Sequence, residues 1–377
     1  MKIAIIVPWI PQIKGTSLAC AFSRALSEFG ETVEFVVHTI NIAVENDLKQ
    51  ILSEKVKLTI LNRVVNDKIN PLVYLQKQYF SKIDRDIVKL LTSSKNGYDQ
   101  VILISNEGRR IGNKIRRKFR NDLNDKPATV LLLQELIDYS FTIDKEGVPT
   151  YIRRLFSLVK PLFRYIEKNR LRGFDLIYSN SYWTSKNLSD LYGINARMPL
   201  ALYDDYNFKL LELEHKEEQI VVPTASLDKN GTDLLLRLQE DGIPLIAFGS
   251  KQIRGIKNLG FLTTIDMCKL ISNSKATLFY FDYEALGLIP LESLSLGTPV
   301  ITLPKQGPYE ELKLNKFVYF FKDYDSLLKI CKNLLETNQD AVYRQTCSES
   351  VNNFRAEVVA SRFLVDVKNC LIGDNHP

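Results

Sequence analysis

The stretch Glu284-Ala-Leu-Gly-Leu-Ile-Pro-Leu-Glu-Ser-Leu-Ser-Leu-Gly-Thr-Pro-Val-Ile301 decides the fold of this chain. It follows an apolar, β-branched and aromatic run at 276–282, which is typical of a buried strand. A strand, a glycine turn, a short helix and a second strand at 299–303 form one parallel α/β unit. Units of this kind bind ligands at the carboxyl ends of their strands, where helix N-termini direct free amides toward anions.

Two carboxylates flank the predicted start of this helix. Glu284 and Glu292 stand eight positions apart, and Gly287 and Leu288 lie between them. Backbone amides at a helix N-terminus bind phosphate, and carboxylates accept hydrogen bonds from hydroxyl groups. The pattern therefore suits a nucleotide sugar, which carries both a diphosphate and sugar hydroxyls. The alternative is an ordinary surface helix with two unrelated glutamates.

The same stretch resembles the Glu-x7-Glu signature of retaining glycosyltransferases with the GT-B fold, most closely glycosyltransferase family 4. The matching positions are Glu284, Gly287, Leu288, Leu291, Glu292, Gly297, Pro299, Val300 and Ile301, and Ile289 is one additional residue before Pro290. The resemblance implies that Glu284 contacts hydroxyls of the donor sugar and Glu292 the ribose of the nucleotide. It also implies that the amides of Gly287, Leu288 and Ile289 hold the diphosphate.

The resemblance extends to other parts of the second half of the chain. The segment 245–249 resembles the strand and glycine that precede the nucleotide pocket in the family, which implies a role for Gly249. The segment 258–262 resembles the one whose backbone contacts the nucleobase, which implies roles for Phe261 and Leu262.

The cations that the family uses are only partly present. Its members place an arginine, then a lysine followed by glycine, after the first strand of the second domain, where both neutralise the diphosphate leaving group. In the matching segment 224–231, Lys229 takes the lysine position, whereas Ser226 stands near the arginine position. Lys251 or Arg254 of the next loop is a candidate substitute. The alternative is that both are solvated charges.

The first half of the chain departs further from the family. Many relatives carry a histidine after the strand that corresponds to 129–133, where this chain has Gln134 and Glu135. Glu135 is a candidate to orient a sugar hydroxyl or an acceptor, and its alternative is a solvated carboxylate at a strand end. The three histidines of the chain lie elsewhere, at His38, His215 and His376. His38, at a strand end, is a candidate for the cleft, and its alternative is a structural role, whereas His215 and His376 are assigned no role.

The loop after the first predicted strand contains Gly15, followed by Thr16 and Ser17, which favours a helix start. In the resembled family this loop faces the donor phosphates and the acceptor. The spacing of glycines matches neither the dinucleotide fingerprint nor a P-loop, which argues against a dehydrogenase or an ATPase.

Strand and helix patterns alternate along the 377 residues, in two blocks joined by a charged segment at 210–219 that is expected to be exposed. The length suits two domains. We expect an α/β protein of GT-B type, with two Rossmann-like domains facing across a cleft. The expected limits are 1–208 for acceptor binding, 209–350 for the nucleotide sugar, and 351–377 for a C-terminal helix that crosses back to the first domain.

Composition indicates an ordinary globular protein, with 45% hydrophobic and 25% charged residues and a net charge of +6. No apolar run reaches the length of a membrane span, and the apolar N-terminus is too short for a signal peptide. The five cysteines are scattered and form no Cys-x-x-Cys pair, which favours a reducing, cytoplasmic compartment without structural zinc.

Two basic helices are predicted, at 107–120 and 151–172. The second carries an apolar stripe at helical spacing. We expect this stripe to pack on the sheet while the cations are solvated, and we expect Pro161 to interrupt any long interfacial helix. The alternative is peripheral contact with an anionic membrane at its inner face. Nucleic acid is not expected as a partner, because no binding module accompanies the charges.

The resemblance implies a retaining, metal-independent transferase that needs no cofactor beyond the nucleotide-diphosphate-sugar donor. The expected acceptor is a glycan or a lipid-linked molecule, in the synthesis of glycans, cell-surface polysaccharides or glycolipids. Two alternatives stay open, namely a catalytically silent GT-B partner of another transferase, and a nucleotide-sugar epimerase or phosphorylase on the same scaffold. The donor sugar, base, linkage and oligomeric state are not predicted.

Overall fold

The structure of the chain is a computed structural model that describes residues 1–10, 17–64, 85–90, 101–104, 111–118, 128–133, 150–205, 207–211 and 216–373. The chain divides into two compact units. The first comprises 1–180, 184–200 and 360–377, and the second comprises 181–183 and 201–359. The domain limits expected from the sequence stay a prediction.

The first unit is built on a parallel sheet of six described strands. These are β1 (Lys2–Ile10), β2 (Thr32–Asn41), β3 (Lys57–Val64), β4 (Val101–Ile104), β5 (Ala128–Leu133) and β6 (Leu176–Ser179). Their order is β3-β2-β1-β4-β5-β6, the order of the doubly wound Rossmann fold. Every residue from Ile3 to Val7 of β1 is buried, as expected for a central parallel strand covered on both faces.

Helices connect these strands. Those described in this part of the chain are α1 (Ser17–Glu28), α2 (Ile42–Ile51), α3 (Ile111–Lys118), α4 (Thr150–Leu171) and α5 (Tyr182–Tyr192). One core cluster of the unit joins Ala4 and Ile6 of β1 to Ile111 and Ile115 of α3. The α3 helix therefore lies on one face of the sheet, as a crossover between parallel strands requires.

The second unit repeats this plan. Its described strands are β7 (Glu217–Pro223), β8 (Leu245–Phe248), β9 (Lys257–Asn258), β10 (Ser274–Phe279), β11 (Val300–Thr302) and β12 (Val318–Phe320). Their order is β12-β11-β10-β7-β8-β9, and all five pairs of neighbouring strands are parallel. When the six strands are counted from β7 as the first, their order is again that of the Rossmann fold, and β7 and β10 lie at the centre of the sheet.

The helices of the second unit cover both faces of its sheet. They are α6 (Lys229–Glu240), α7 (Thr264–Asn273), α8 (Leu288–Ser295), α9 (Gln306–Leu312), α10 (Tyr324–Glu336) and α11 (Ala341–Glu349). One core cluster joins Val221 and Phe279 of the sheet to Leu291 of α8. A second cluster joins Ile220 and Leu278, which point to the opposite face, to Leu235 of α6.

The last described helix, α12 (Ala356–Gly373), groups with the first unit from Ala360 onward. The Phe363 ring packs edge-on against Phe22 at 5.2 Å and Tyr178 at 5.1 Å between centroids. The Asp366 carboxylate accepts a hydrogen bond from the Tyr178 hydroxyl at 2.6 Å and pairs with Arg197 at 2.7 Å. Apolar and charged contacts therefore both hold this helix.

Two expectations for α4 are wrong. The helix continues through Pro161 over 22 residues, because a proline removes one backbone hydrogen bond while the remaining turns keep theirs. Over 160–171, where the structure describes the side chains of α4, the apolar stripe is also exposed rather than packed on the sheet, with Leu162 59% and Ile166 37% exposed. Within these residues the buried side of the helix carries Glu167 and Leu171.

The charged segment at 210–219 is not uniformly exposed, contrary to expectation. The Lys216 side chain is partly buried, and its ammonium donates to the carbonyl oxygens of Ser274 and Gly297 and to the Thr298 hydroxyl, at 2.9, 3.2 and 2.7 Å. Burial lowers the pKa of Lys216 to about 7. This lysine ties the start of β7 to the start of β10 and to the turn before β11.

The five cysteines are all free thiols. Cys20 lies buried in the first unit, and Cys268, Cys331 and Cys347 lie buried in the second, whereas Cys370 near the C-terminus is partly exposed. Across the part of the chain that the structure describes, no helix combines the length and the apolarity needed to cross a membrane.

Candidate functional site

The strand order of the second sheet reverses at β7 and β10, its two central strands. From β7 the chain continues outward through β8 and β9, whereas β10 leads to β11 and β12 on the other side. Open α/β sheets bind ligands in the crevice at this point, at the carboxyl ends of the strands. The segments that leave those ends are 224–229 after β7, 249–251 after β8, 280–287 after β10 and 303–307 after β11. Four of the residues singled out in the sequence fall on these segments, namely Lys229, Gly249, Glu284 and Gly287.

Gly287 begins the short helix α8. It adopts a left-handed conformation with φ at +84°, which glycine tolerates and other residues rarely do. A Cβ atom there would lie 2.8 Å from Cγ of Pro308, so the position also has no room for a side chain. No side chain caps the helix start. The amides of Leu288 and Ile289 in the first turn therefore have no intrahelical acceptor and can hold an anion.

Glu284 lies in the loop between β10 and α8. Its Oε1 accepts hydrogen bonds from the amides of Ala285 at 3.1 Å and Leu286 at 3.4 Å. Its own amide donates to Oε1 of Gln306 at 2.6 Å. The side chain is half-buried, and these bonds hold the carboxylate at a defined place beside the helix start.

Gln306 and Gly307, at the beginning of α9, clamp this loop from the other side. Gln306 has φ at +57° and is the non-glycine residue with positive φ among those described, a strained conformation that is common at functional sites. Its side-chain amide donates to the Asp282 carbonyl oxygen at 3.2 Å. A Cβ atom on Gly307 would lie 1.9 Å from the Ala285 carbonyl oxygen. Only glycine therefore allows this approach.

The short segment 181–183 contacts the same loop within the second unit. The Ser181 hydroxyl donates to the Ala285 carbonyl oxygen at 2.6 Å, and the Trp183 ring meets the Tyr283 ring edge-on at 5.4 Å. The Tyr182 amide donates to the Glu311 carboxylate, whose pKa burial raises to about 7. The Glu284 loop is therefore held by polar contacts on two sides.

Glu292 lies one turn further along α8 and is buried, with 8% of its surface exposed. Burial, together with the charge of nearby Asp204, raises the pKa of Glu292 to about 8. Its carboxyl group is therefore neutral at pH 7 and can both donate and accept a hydrogen bond. A neutral acid of this kind suits the adjacent hydroxyls of a ribose.

Asp204 is a second buried carboxylate of this neighbourhood and was not predicted from the sequence. It is 4% exposed, and its Oδ2 accepts a hydrogen bond from the Asn207 side-chain amide at 2.6 Å. The Asn207 carbonyl oxygen lies 3.6 Å from the Cys268 thiol. The sequence gives no local pattern for Asp204, because it is brought close to Glu292 only by the packing of the segment 201–208 on the core.

The cations near the site come from two loops. Lys229 is exposed at the first turn of α6, whose start is capped by Asp228 accepting from the Gly231 amide at 2.7 Å. The Lys251 ammonium reaches the same start and lies 3.3 Å from the Leu227 carbonyl oxygen. A second cation therefore stands beside Ser226, whereas Arg254 is exposed.

Gly249 and the following loop border the other side of the crevice. Gly249 has φ at +116°, and a Cβ atom there would lie 2.7 Å from the Thr224 hydroxyl. Its amide donates to the Gly260 carbonyl oxygen at 2.7 Å, which joins the ends of β8 and β9. Phe261, which follows, is 71% exposed, whereas Leu262 packs against the core.

Several residues considered in the sequence do not enter this group. Gly15 and Glu135 lie outside the described residues, as do His215 and His376. His38 is buried in β2 of the first unit, where its Nε2 lies 3.1 Å from the Asp86 carboxylate. Glu284, Glu292 and the Gly287 helix start thus lie on the loop and helix that follow β10, the Gly249 loop follows β8, and all of them belong to the second unit.

Comparison with known proteins relates the segment that carries both glutamates to a family of glycosyltransferases. Residues 251–352, which include both glutamates, match the family described as "Glycosyl transferases group 1". Comparison with curated proteins gives no match.

Three solved structures illustrate the likeness in fold. A sucrose-phosphate synthase from Thermosynechococcus elongatus aligns with a TM-score of 0.71 at 15% identity, over 99% of this chain and 100% of the other. HepE from Anabaena, solved with UDP and glucose, aligns with a TM-score of 0.66 at 13% identity, over 98% of this chain and 99% of HepE. A protein of Listeria monocytogenes described as a UDP-N-acetylglucosamine 2-epimerase aligns with a TM-score of 0.58 at 12% identity, over 100% of this chain and 98% of the other.

These likenesses confirm the fold class predicted from the sequence, an α/β protein of GT-B type with two Rossmann-like sheets. With the family match over the segment that carries both glutamates, the fold supports a glycosyltransferase.

Proposed function

We propose that the chain is a retaining glycosyltransferase that moves a sugar from a nucleotide-diphosphate-sugar to an acceptor hydroxyl. The observation that carries this proposal is the uncapped start of α8, with Glu284 and Glu292 on either side of it at the topological switch point. Amides there suit the diphosphate, and the two acids suit the sugar and the ribose.

Each residue has a role in this proposal. Glu284 holds hydroxyls of the donor sugar, and Glu292 binds the ribose as a neutral acid. The amides of Gly287, Leu288 and Ile289 hold the diphosphate. Gly249 gives the nucleotide close access to the backbone, and Phe261 and Leu262 border the base.

The departing diphosphate gains negative charge as the glycosidic bond breaks, and fixed positive charge stabilises that state. Lys229 and Lys251 supply it here, since both stand at the start of α6. In the transfer, the bond between the anomeric carbon and the diphosphate oxygen breaks. A new bond to the acceptor oxygen forms on the same face, and the acceptor proton passes to the leaving phosphate. No metal ion or further cofactor is required in this scheme, because amides and lysines neutralise the charge.

Gly15 at the donor phosphates and Glu135 at the acceptor or sugar remain part of the proposal as sequence predictions. We place the acceptor among glycans and lipid-linked molecules of polysaccharide or glycolipid synthesis. We place the reaction in the cytoplasm, on the ground that all five cysteines are free.

The experiment that tests this function is nucleotide release from a panel of UDP-, GDP-, ADP- and dTDP-sugars, with the melting temperature read in parallel. UDP-sugars come first, because HepE was solved with UDP and glucose. A donor that binds the folded state raises the melting temperature with the logarithm of its concentration. Slow release of nucleotide by the wild type, lost in Glu284→Gln and kept in the exposed control Glu240→Gln, supports the proposal.

A donor that is converted to another nucleotide sugar without release of nucleotide would identify an epimerase instead. The likeness in fold to the Listeria protein keeps that activity as the second candidate. A donor that raises the melting temperature without releasing nucleotide would favour a catalytically silent partner of another transferase. The observation that motivates this alternative is Ser226, which stands near the position of the family's arginine.

A further inference from the structure

The second half of α4 presents large apolar side chains to solvent. Leu162 is 59%, Phe163 40%, Tyr165 65% and Ile166 37% exposed. Leu162, Tyr165 and Ile166 follow helical spacing and lie on one face, and Phe163 borders it. We call these four residues the apolar face of α4. A surface helix normally turns its apolar face to the core, whereas the second half of α4 turns these apolar side chains to solvent.

Cations surround this face. Lys160, Arg164, Lys168, Arg170 and Arg172 lie in the same stretch, against the single carboxylate of Glu167. Glu167 is 3% exposed and pairs with Arg170 at 3.2 Å, so it adds little negative charge to the surface. By helical spacing, Lys168 and Arg172 fall on one border of the apolar face and Arg170 on the other, whereas Arg164 falls on the buried side with Glu167 and Leu171.

We propose that the apolar face of α4 docks onto an anionic lipid surface. Apolar side chains enter the boundary between headgroups and acyl chains, while cations at the borders meet anionic headgroups. Tyr165 suits that boundary, because its ring is apolar and its hydroxyl is polar. The surface belongs to the first unit, whereas the glutamates of the candidate site belong to the second.

Charge argues against the other occupants. A second copy would have to meet this patch with the same patch in a two-fold dimer, which brings the bordering cations Lys168, Arg170 and Arg172 of one copy against those of the other. A nucleic acid would satisfy the cations but would leave the apolar side chains in water. An anionic bilayer satisfies both features.

The test is co-sedimentation of the full chain with vesicles of phosphatidylcholine alone, and with vesicles in which about one-third of the lipid is phosphatidylglycerol. The wild type should pellet with the anionic vesicles only. The double variant Leu162→Glu/Ile166→Glu should lose at least about tenfold in affinity, because it places charge in the inserted face. Lys168→Gln/Arg172→Gln should lose about tenfold or more, and added salt should weaken the wild type in the same way.

A matched control is Leu314→Glu, which also adds a charge at an exposed leucine, 95% exposed, in the second unit. It should bind as the wild type does. Circular dichroism and melting temperature confirm that each variant is folded. Failure of the wild type to pellet with anionic vesicles, or unchanged binding by the folded Leu162→Glu/Ile166→Glu variant, overturns the proposal. A wild-type dimer that this variant dissociates would also overturn it, in favour of a second copy. Since no step of this test involves nucleotide, its result is independent of the proposed transferase activity.

Discussion

Gly307 lies so close to Ala285 that a methyl group on the glycine would stand 1.9 Å from the alanine carbonyl oxygen. That oxygen already accepts the Ser181 hydroxyl at 2.6 Å, and the Gly307 amide donates to the Glu284 carbonyl oxygen at 3.2 Å. The position of Glu284 therefore depends on the absence of a side chain at Gly307, after the next strand, β11.

Gly307→Ala should displace the loop that carries Glu284. We expect a loss of about 1–3 kcal/mol in the free energy of unfolding, as in other overpacked sites. We also expect nucleotide release to fall by about tenfold or more. Denaturant unfolding and donor turnover measure the two effects. The control is Gly242→Ala, where φ is +79° but no atom lies within 4 Å of the added methyl, so stability alone should fall. Wild-type turnover in Gly307→Ala would contradict the expectation.

The two glutamates should differ in the kinetic parameter that they control. Glu284→Ala should mainly lower kcat, because the proposed contact is to the sugar that reacts. Glu292→Ala should mainly raise KM for the donor, since it removes a ribose contact. Steady-state kinetics on the donor found in the panel separate the two. Wild-type parameters in both variants would end the site assignment.

The buried acid at Glu292 should make stability depend on pH. Its pKa rises from 4.5 to about 8 on folding. Between about pH 4.5 and pH 8 the folded state therefore binds the carboxyl proton of Glu292 more tightly than the unfolded state does. Stability from this group is thus full below about pH 4.5 and is lost as pH rises toward 8.

Glu292→Gln cannot ionise, so it should be more stable than the wild type at pH 8, by an amount on the order of a few kcal/mol. At pH 5 the two should differ little. Urea unfolding at both values measures this. Equal stability differences at pH 5 and pH 8 would show that the carboxyl group is not perturbed.

Lys251 should act in leaving-group stabilisation although the family pattern gives it no place. Lys251→Gln and Lys229→Gln should each lower kcat by about tenfold to a hundredfold, because each removes a charge near the departing diphosphate. The exposed Arg254→Gln, which removes an equal charge from the same loop, should leave kcat unchanged. A loss in Arg254→Gln with none in Lys251→Gln would reverse this assignment.

Much of the fold and part of the site could be predicted because both depend on local sequence. Alternating strand and helix patterns give the parallel sheets, and the strand predicted at 245–249 matches β8. The start of α8 at Gly287 could be predicted because a glycine turn after a strand is a local feature.

What could not be predicted depends on contacts between distant parts of the chain. Asp204 and Glu292 are 88 positions apart, and no periodicity indicates that their carboxyl groups interact. The contact of Lys251 with the Leu227 carbonyl oxygen is of the same kind. For α4, helical spacing places Leu162 and Ile166 on one face, but periodicity alone does not determine which face the rest of the unit covers.

The distribution of the five thiols gives each unit its own reporter of unfolding. Cys20 is buried in the first unit, and Cys268, Cys331 and Cys347 are buried in the second, so a thiol-reactive dye reaches either group only when its unit opens. Cys370 is partly exposed, so it reacts with the dye before either unit opens. With peptide mapping of the labelled cysteines, the unmodified chain can show whether its halves melt in one transition or two.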